Sequence, residues 1–348
     1  MTFTSPILIT ILLAFLPIST SNQVTHLQDH NNTWDSISSD NSTLTSRTNS
    51  ETLNKVTNVT ASSTAEAKTK PSFPLPTPYI TSIKGTNLTK NSIDKFGIKK
   101  IYPTKMGGRE WYVNMNNPVN DSIFSIGSDQ NITKQSSGEG SGSSWRISNP
   151  EARMVVTTPA GIAQWKNVEI TGYVKVNSTI NNRHHKDMPT DIAWLARGGR
   201  HNNDIPCDGT ALIGGIHDDG TVGWKKEIWF TGGYTKELAQ SKPIQSIVGR
   251  WIGWKVIMYN INNNTAVKMQ SYLDDKNNNH WTKVTDILDD GGWFADATDS
   301  EFYSANCGRA KDHIITNGGP NVTFRSDNLV MDFKNLSVRE IQASNSLS

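Results

Sequence analysis

The chain has 348 residues and a formal net charge of +2, from 34 Lys and Arg against 32 Asp and Glu. The basic residues are scattered, which removes the clustered positive footprint of a nucleic-acid binder. Past the first residues no run is apolar enough to span a bilayer, and two cysteines without CxxC spacing exclude a cysteine zinc site.

Ile7 to Leu16 is an apolar run with the length of a signal-peptide core, followed by the small residues Ser19, Thr20 and Ser21. Residues 1–21 therefore read as a signal peptide for export. The alternative is an uncleaved N-terminal anchor, the one route by which this chain would meet a membrane. Residues 22–98 are dominated by Ser, Thr and Asn and hold few large apolar side chains. Such a segment cannot bury enough surface to offset its ordering entropy, so it reads as a disordered, solvated stalk that stiffens at PSFPLPTP. Sequons begin at Asn31, Asn41, Asn58, Asn87, Asn120, Asn131, Asn177, Asn263, Asn321 and Asn335, consistent with a secreted or cell-surface glycoprotein.

Residues 99–342 have a different texture, with a short tail at 343–348. All of the eleven tryptophans except Trp34 lie between Trp111 and Trp293. Short alternating segments recur between Gly, Asn and Asp turns: RMVVTTP, WKNVEITGYVKVN, DIAWLARGG, GTALIGGI, TVGWKKEIWF, WIGWKVIMYNI, AVKMQSYLDD, HWTKVTDILDD, NVTFRSDN and LVMDFKNLSVREI. None carries a helical stripe, SSGEGSGSS reads as a loop within the domain, and there is no internal repeat. Many strands in one domain predict an all-β, two-sheet antiparallel jelly-roll sandwich.

Alternation divides each strand into two faces. Val168, Ile170, Val174 and Val176 share one face, with Glu169, Thr171, Tyr173 and Lys175 on the other. Trp224, Lys226, Ile228 and Phe230 oppose Lys225, Glu227 and Trp229, while Val267, Met269 and Leu273 oppose Lys268, Gln270 and Tyr272. The second faces suit either an ordinary solvated sheet or a polysaccharide site. Aromatic rings stack on sugars, and Lys, Gln and Glu bond hydroxyls and carboxylates. Tyr234 closes the TGGY turn, where glycines let the backbone approach a ligand.

Cys207 and Cys307, an even pair in an exported chain, read as a disulfide rather than two buried thiols. It would close a loop of about 100 residues, worth about 4 to 5 kcal/mol in the chain-entropy model. The loop RGGRHNNDIPCDG would then hold Arg200 and His201 at the mouth of a site, or merely cap a sheet. No cofactor motif is present. The one stretch with oxygen ligands for a structural Ca2+ is DDKNNNH, with Asp275, Asn277 and Asn279 alternating, and it lacks the glycine and terminal glutamate of a complete calcium loop.

GRWIGWKVIMYNINNNTAVKMQSYLDD and NVTFRSDNLVMDFKNLSVREI resemble strands of the concanavalin A-like lectin/glucanase superfamily, over roughly residues 105 to 342. The glucanase branch needs a Glu-x-Asp-x-(x)-Glu strand, and none occurs. The alginate-lyase branch is partly matched. NPEARM keeps Glu151 and Arg153 of an R-[TS]-E-[LV]-R strand with Asn149 at the first Arg, GIH keeps His217 of a Q-[IV]-H strand with Gly215 at the Gln, and the late Tyr-Lys strand is absent.

The resemblance implies a polysaccharide lyase that cleaves uronate-containing glycans by β-elimination, with His217 and Arg153 as catalytic candidates, to which the disulfide-held loop adds Arg200 and His201. Glu151, Lys225, Glu227, Trp229, Tyr234, Lys268, Gln270 and Tyr272 are the substrate-contact candidates. The alternative reading is a non-catalytic carbohydrate-binding or structural cell-surface protein. In both, the partner is a glycan.

Overall fold

The structure, a computed structural model, describes residues 92–343 apart from 128–129, 137–142, 181–189, 200–206, 208, 230–232 and 297–305. Within them are thirteen strands: β1 (Glu110–Tyr112), β2 (Phe124–Ile126), β3 (Ile132–Gln135), β4 (Ser144–Thr157), β5 (Val168–Thr179), β6 (Asp191–Gly198), β7 (Ala211–His217), β8 (Val222–Glu227), β9 (Leu238–Ser241), β10 (Trp251–Ile261), β11 (Ala266–Asp274), β12 (Thr282–Asp289) and β13 (Asn321–Glu340). Among the described residues only the 3-10 turns Pro118–Asn120 and Asn262–Asn264 are helical. Every strand pairing is antiparallel.

The strand order is β12-β11-β10-β5-β13-β6-β7-β8-β9, with β4 and β1 also on β13. The 20-residue β13 serves both layers of the sandwich. Its first half pairs with β4 and β6, and its second half with β5 and β1. One layer is thus β4-β13-β6-β7-β8-β9 and the other β12-β11-β10-β5-β13-β1, an all-β antiparallel sandwich as expected.

The layers meet over the apolar faces that alternation assigns. Trp194, Trp224, Trp254, Phe324 and Phe333 are fully buried between them, each stabilising the fold by on the order of 3 kcal/mol. A Cβ on Gly214 would lie 2.8 Å from the Val256 side chain, so only glycine lets β7 come this close to β10. The Trp224 indole donates to Thr285 Oγ1 at 2.8 Å, which satisfies its buried N–H. Lys226 points inward, as its place in the alternation requires. Its ammonium is paired with Asp289 at 2.8 Å, both side chains fully buried, and lies over the Trp293 ring.

The second face of β5, expected to be either solvated or open to a glycan, is neither, and the neighbouring face of β10 is closed with it. Glu169, Thr171 and Tyr173 are buried, as are Lys255 and Arg339. The cover is the chain just ahead of β1, and the folded body reaches back to Ser92, ahead of the expected boundary at 99, with Ile98 buried. Ile101 and Tyr102 donate their backbone N–H groups to Glu169 Oε2, Lys255 donates to the Lys99 carbonyl, and Arg339 donates to Thr104. The charges on this face are therefore structural.

The disulfide forms between Cys207 and Cys307, with Cα atoms 5.4 Å apart, tying the loop before β7 to the segment after β12. Cys307 packs with Ile228, Trp229 and Ala295.

Candidate functional site

The outer face of the first layer carries a row of charge over a floor of small side chains. In register across the sheet run Arg153 on β4, Arg325 on β13, Ala193 on β6, Gly215 on β7 and Gly223 on β8. One step along the strands run Glu151, Asp327, Asp191 and His217. Alternation dictates this placement. On β6, Ile192, Trp194 and Ala196 fill the core, so Asp191 and Ala193 must face outward.

Asp327 anchors the row. It is fully buried and accepts from Arg153 Nη1 at 2.7 Å and from Arg325 Nε at 2.6 Å. Burial alone would raise its pKa, but the two guanidinium groups hold it below the ordinary carboxylate value. Asp327 does not satisfy Arg153 completely: Nη2 is buried with no hydrogen-bond partner among the described residues. Burial and the neighbouring Arg325 both work against the Arg153 charge.

Asp191 sits between Asp327 and His217 and is 7% exposed. Its Oδ1 is likewise buried without a partner. Burial first, and the adjacent Asp327 second, push its pKa up to about 6, against the pull of Arg325, His217 and Lys225. Two carboxylates on adjacent strands do not both ionise cheaply, and the arginines favour Asp327. His217 Nε2 lies 3.6 Å from Glu237 Oε1, and that contact raises the imidazole pKa. Burial would raise Glu237, but His217 and then Lys225 hold it down.

Tyr234 completes the row. Its ring packs on Ala193, Ala211 and Ile213, and its hydroxyl oxygen is within reach of the Arg325 guanidinium. Burial, and then Glu227, raise its pKa well above the ordinary value, so it stays a hydroxyl at any physiological pH. The chemistry gathered here is a donor for an anion (Arg153), a carboxyl that keeps its proton up to about pH 6 (Asp191), an imidazole (His217) and a phenol (Tyr234).

The sequence-derived candidates divide between regions. Arg153, His217, Glu151, Lys225 and Tyr234 come to this face. Glu227 lies on it but is 2% exposed. Trp229 is not available for stacking: it is 1% exposed, packed beside Cys307 with the Arg309 guanidinium over its ring. Strand β8 ends at Glu227, so the alternation that put Trp229 beside Lys225 no longer holds there. Lys268, Gln270 and Tyr272 lie on β11, in the other layer. Lys268 is paired with Asp286, Gln270 bonds Tyr102 and Asp286, and the Tyr272 hydroxyl bonds Gln270. Arg200 and His201 fall outside the described residues.

DDKNNNH does not fit a calcium ion. Asp274 accepts from the backbone N–H groups of Asn278 and Asn279, Asn279 Oδ1 accepts from Lys99 and Trp281, and Asp275 pairs with Arg250. The oxygens a cation would use close the loop instead.

Sequence reasoning passed over Asp191, Glu237, Arg325 and Asp327. FRSDN looks like the end of an edge strand, whereas β13 runs on unbroken through it and occupies the middle of the sheet. The available signal was Arg325 and Asp327 alternating against Phe324 and Ser326.

No protein-family model matches the chain, and no curated protein matches it. Among solved structures the chain is similar to the VIP36 exoplasmic/lumenal domain in its Ca2+/Man-bound form, with 10% identity and a TM-score of 0.39 over 68% of this chain and 91% of that one. It is also similar to a Bacillus subtilis protein of unknown function with a galectin-like fold, at 9% identity and a TM-score of 0.38 over 70% and 100%. Peanut lectin is a third, at 9% identity and a TM-score of 0.34 over 68% and 99%. None of these likenesses bears on a residue of the charged row.

Proposed function

We propose that this protein is exported and binds an acidic, carboxylate-bearing polysaccharide across the outer face of the β4-β13-β6-β7-β8 layer. One observation carries the reading: Arg153 Nη2 and Asp191 Oδ1, each in its own side chain on that face, are buried and unpartnered. A shielded polar atom without a partner costs about 1 to 3 kcal/mol, more when charged, a cost that a ligand bonding it would relieve. Arg153 supplies a cation for a uronate carboxylate. The missing side chain at Gly215 leaves room beside Tyr234, which packs over Ala193, and Tyr234 and His217 supply polar contacts there. Titration of the protein with uronate oligosaccharides and their carboxyl-reduced counterparts tests this. Preferential binding of the uronates is expected, and equal or absent binding of both sets would end the reading.

A second reading, lyase activity, is favoured by one specific fact. Arg153, His217 and Tyr234, far apart in sequence, share one face. In β-elimination a base takes the proton on C5, the electron pair forms the C4–C5 double bond, and the C4–O bond breaks with a proton delivered to the leaving oxygen. Arg153 would neutralise the uronate carboxylate. Neutral His217 would take the proton, and Tyr234, which its surroundings keep protonated, would give one to the leaving group. Because Glu237 raises the His217 pKa, the rate would climb with pH through that raised value, and Glu237→Gln would move the climb to lower pH. The ultraviolet absorbance of the unsaturated uronate product reads the reaction directly. Binding without any such product would leave a binding protein.

A further inference from the structure

Resting on the acidic-glycan reading above, we propose that Asp191 and the gap over Gly215 form the subsite that takes the ligand's carboxylate, with Asp191 donating its own proton to it. The subsite is built from three neighbouring strands. Asp191 opens β6, in register with Asp327 on β13 and with His217 on β7. Its side chain leans over the next position of β7, where there is no side chain. A Cβ on Gly215 would find nothing nearer than 3.8 Å, with Asp191 Oδ2 at 4.0 Å. Gly215 is thus not needed for close packing, in contrast to Gly214 on the inner face of the same strand. It leaves unfilled space, beside a glycine that is itself buried, next to a carboxyl whose second oxygen has no partner.

The chemistry follows from the neighbours. The groups that face Asp191 are Asp327 and Arg325 on β13, His217 on β7 and Lys225 on β8, with Glu237 behind His217. Asp327 keeps the charge because two guanidinium groups bond it. Asp191 is left as the member of the pair that keeps its proton up to about pH 6 and must regain it on binding above that pH. An ionised Asp191 would repel a uronate. A protonated one offers an O–H to a carboxylate oxygen, a short charge-assisted bond of the stronger kind. Over Gly215 the ligand carboxylate would accept from the Asp191 acid, while Arg153, three strands away on β4, would meet the ligand farther along the same face. Binding would draw in one proton.

Titration calorimetry with uronate oligosaccharides, from about pH 5 to about pH 8 and in buffers of different ionisation enthalpy, measures that proton. The wild-type affinity is expected to fall by up to about tenfold per pH unit above the Asp191 titration, the limiting slope for one linked proton. Asp191→Asn, a permanent donor, should bind with that slope removed. Gly215→Ala, which the open space lets fold, should bind at least about fivefold more weakly at every pH, because its methyl fills that space. An unchanged slope in Asp191→Asn, a slope abolished only by His217→Gln, or full affinity in Gly215→Ala would overturn the subsite. A wild-type protein that binds uronates with no pH slope sinks this inference alone. One that binds no uronate at any pH sinks the acidic-glycan reading and the inference together.

Discussion

On β5, β10 and β13 the carboxylate of Glu169 meets the cations of Lys255 and Arg339, and on β4, β6 and β13 the carboxylates of Asp327 and Asp191 meet the cations of Arg153 and Arg325. In the first cluster each group is 1% exposed and its bonds are filled. Lys255 spends three donors on Glu169, Thr171 and the Lys99 carbonyl, and Glu169 takes Arg339 and two backbone N–H groups besides. In the second, Arg153 Nη2 and Asp191 Oδ1 are left over. What separates the two is cover from elsewhere in the chain. Residues 99–104 close the first cluster with backbone groups cut to its geometry, whereas no described residue supplies the bonds the second lacks. A saturated ionic cluster holds a fold together, and the unsaturated one is where we propose that the ligand binds.

The comparison is broken most forcefully at its structural end. Glu169→Gln leaves Lys255 and Arg339 buried without a counter-charge, and breaking a buried pair this way costs roughly 3 to 5 kcal/mol. Denaturant unfolding should show that loss, with uronate affinity per folded molecule unchanged. Trp229→Ala should act on stability as well, by about 3 kcal/mol or more for a buried tryptophan. A selective loss of glycan affinity with no drop in the unfolding midpoint would instead return Trp229 to the ligand face.

Asp191→Asn probes the other end with the opposite sign. The folded state holds the Asp191 proton up to about pH 6, whereas an unfolded aspartate releases it near 3.8. Between those values the native state binds more protons than the unfolded chain, so stability falls as pH rises, and the deficit is complete above about pH 6. It amounts to about 2 to 3 kcal/mol, at about 1.4 kcal/mol per pKa unit. The asparagine variant should therefore gain on the wild type from pH 4 to pH 7 in thermal unfolding. A parallel pair of curves would mean that Asp191 is not held neutral. The smallest effect is expected from Lys268→Ala, which removes a half-exposed pair with Asp286 worth under about 1 kcal/mol. Uronate affinity should not change, because β11 belongs to the covered layer.

Local pattern carried the fold a long way. Period-two alternation on β5, β8 and β11 places the core residues correctly, and it even turns Lys226 inward, where Asp289 receives it. The cysteine pair was legible as an even pair in a chain that reads as exported, and the disulfide forms. The failures came where a face depends on distant chain. Glu169 and Tyr173 read as open because their cover, Lys99 to Thr104, precedes any recognisable strand. Gln270 and Tyr272 seemed to share a face with Lys225 because alternation says which way a side chain points within its strand but not which layer the strand joins. The site itself was half legible. Arg153 and His217 stood out by resemblance, but Asp191, Arg325 and Asp327 gain meaning only through the β4-β13-β6 register, which brings together positions more than a hundred residues apart.

The measurement that bears most directly on this account is the affinity of Arg153→Ala for a uronate oligosaccharide, set beside its unfolding curve. Arg325 still pairs with Asp327 in that variant, so the fold should lose no more than about 1 to 2 kcal/mol. Uronate affinity should drop at least about tenfold, the loss of one charge-assisted pair. Affinity equal to that of the wild type, on a protein that unfolds normally, would contradict the claim that the unsaturated face is where the glycan binds.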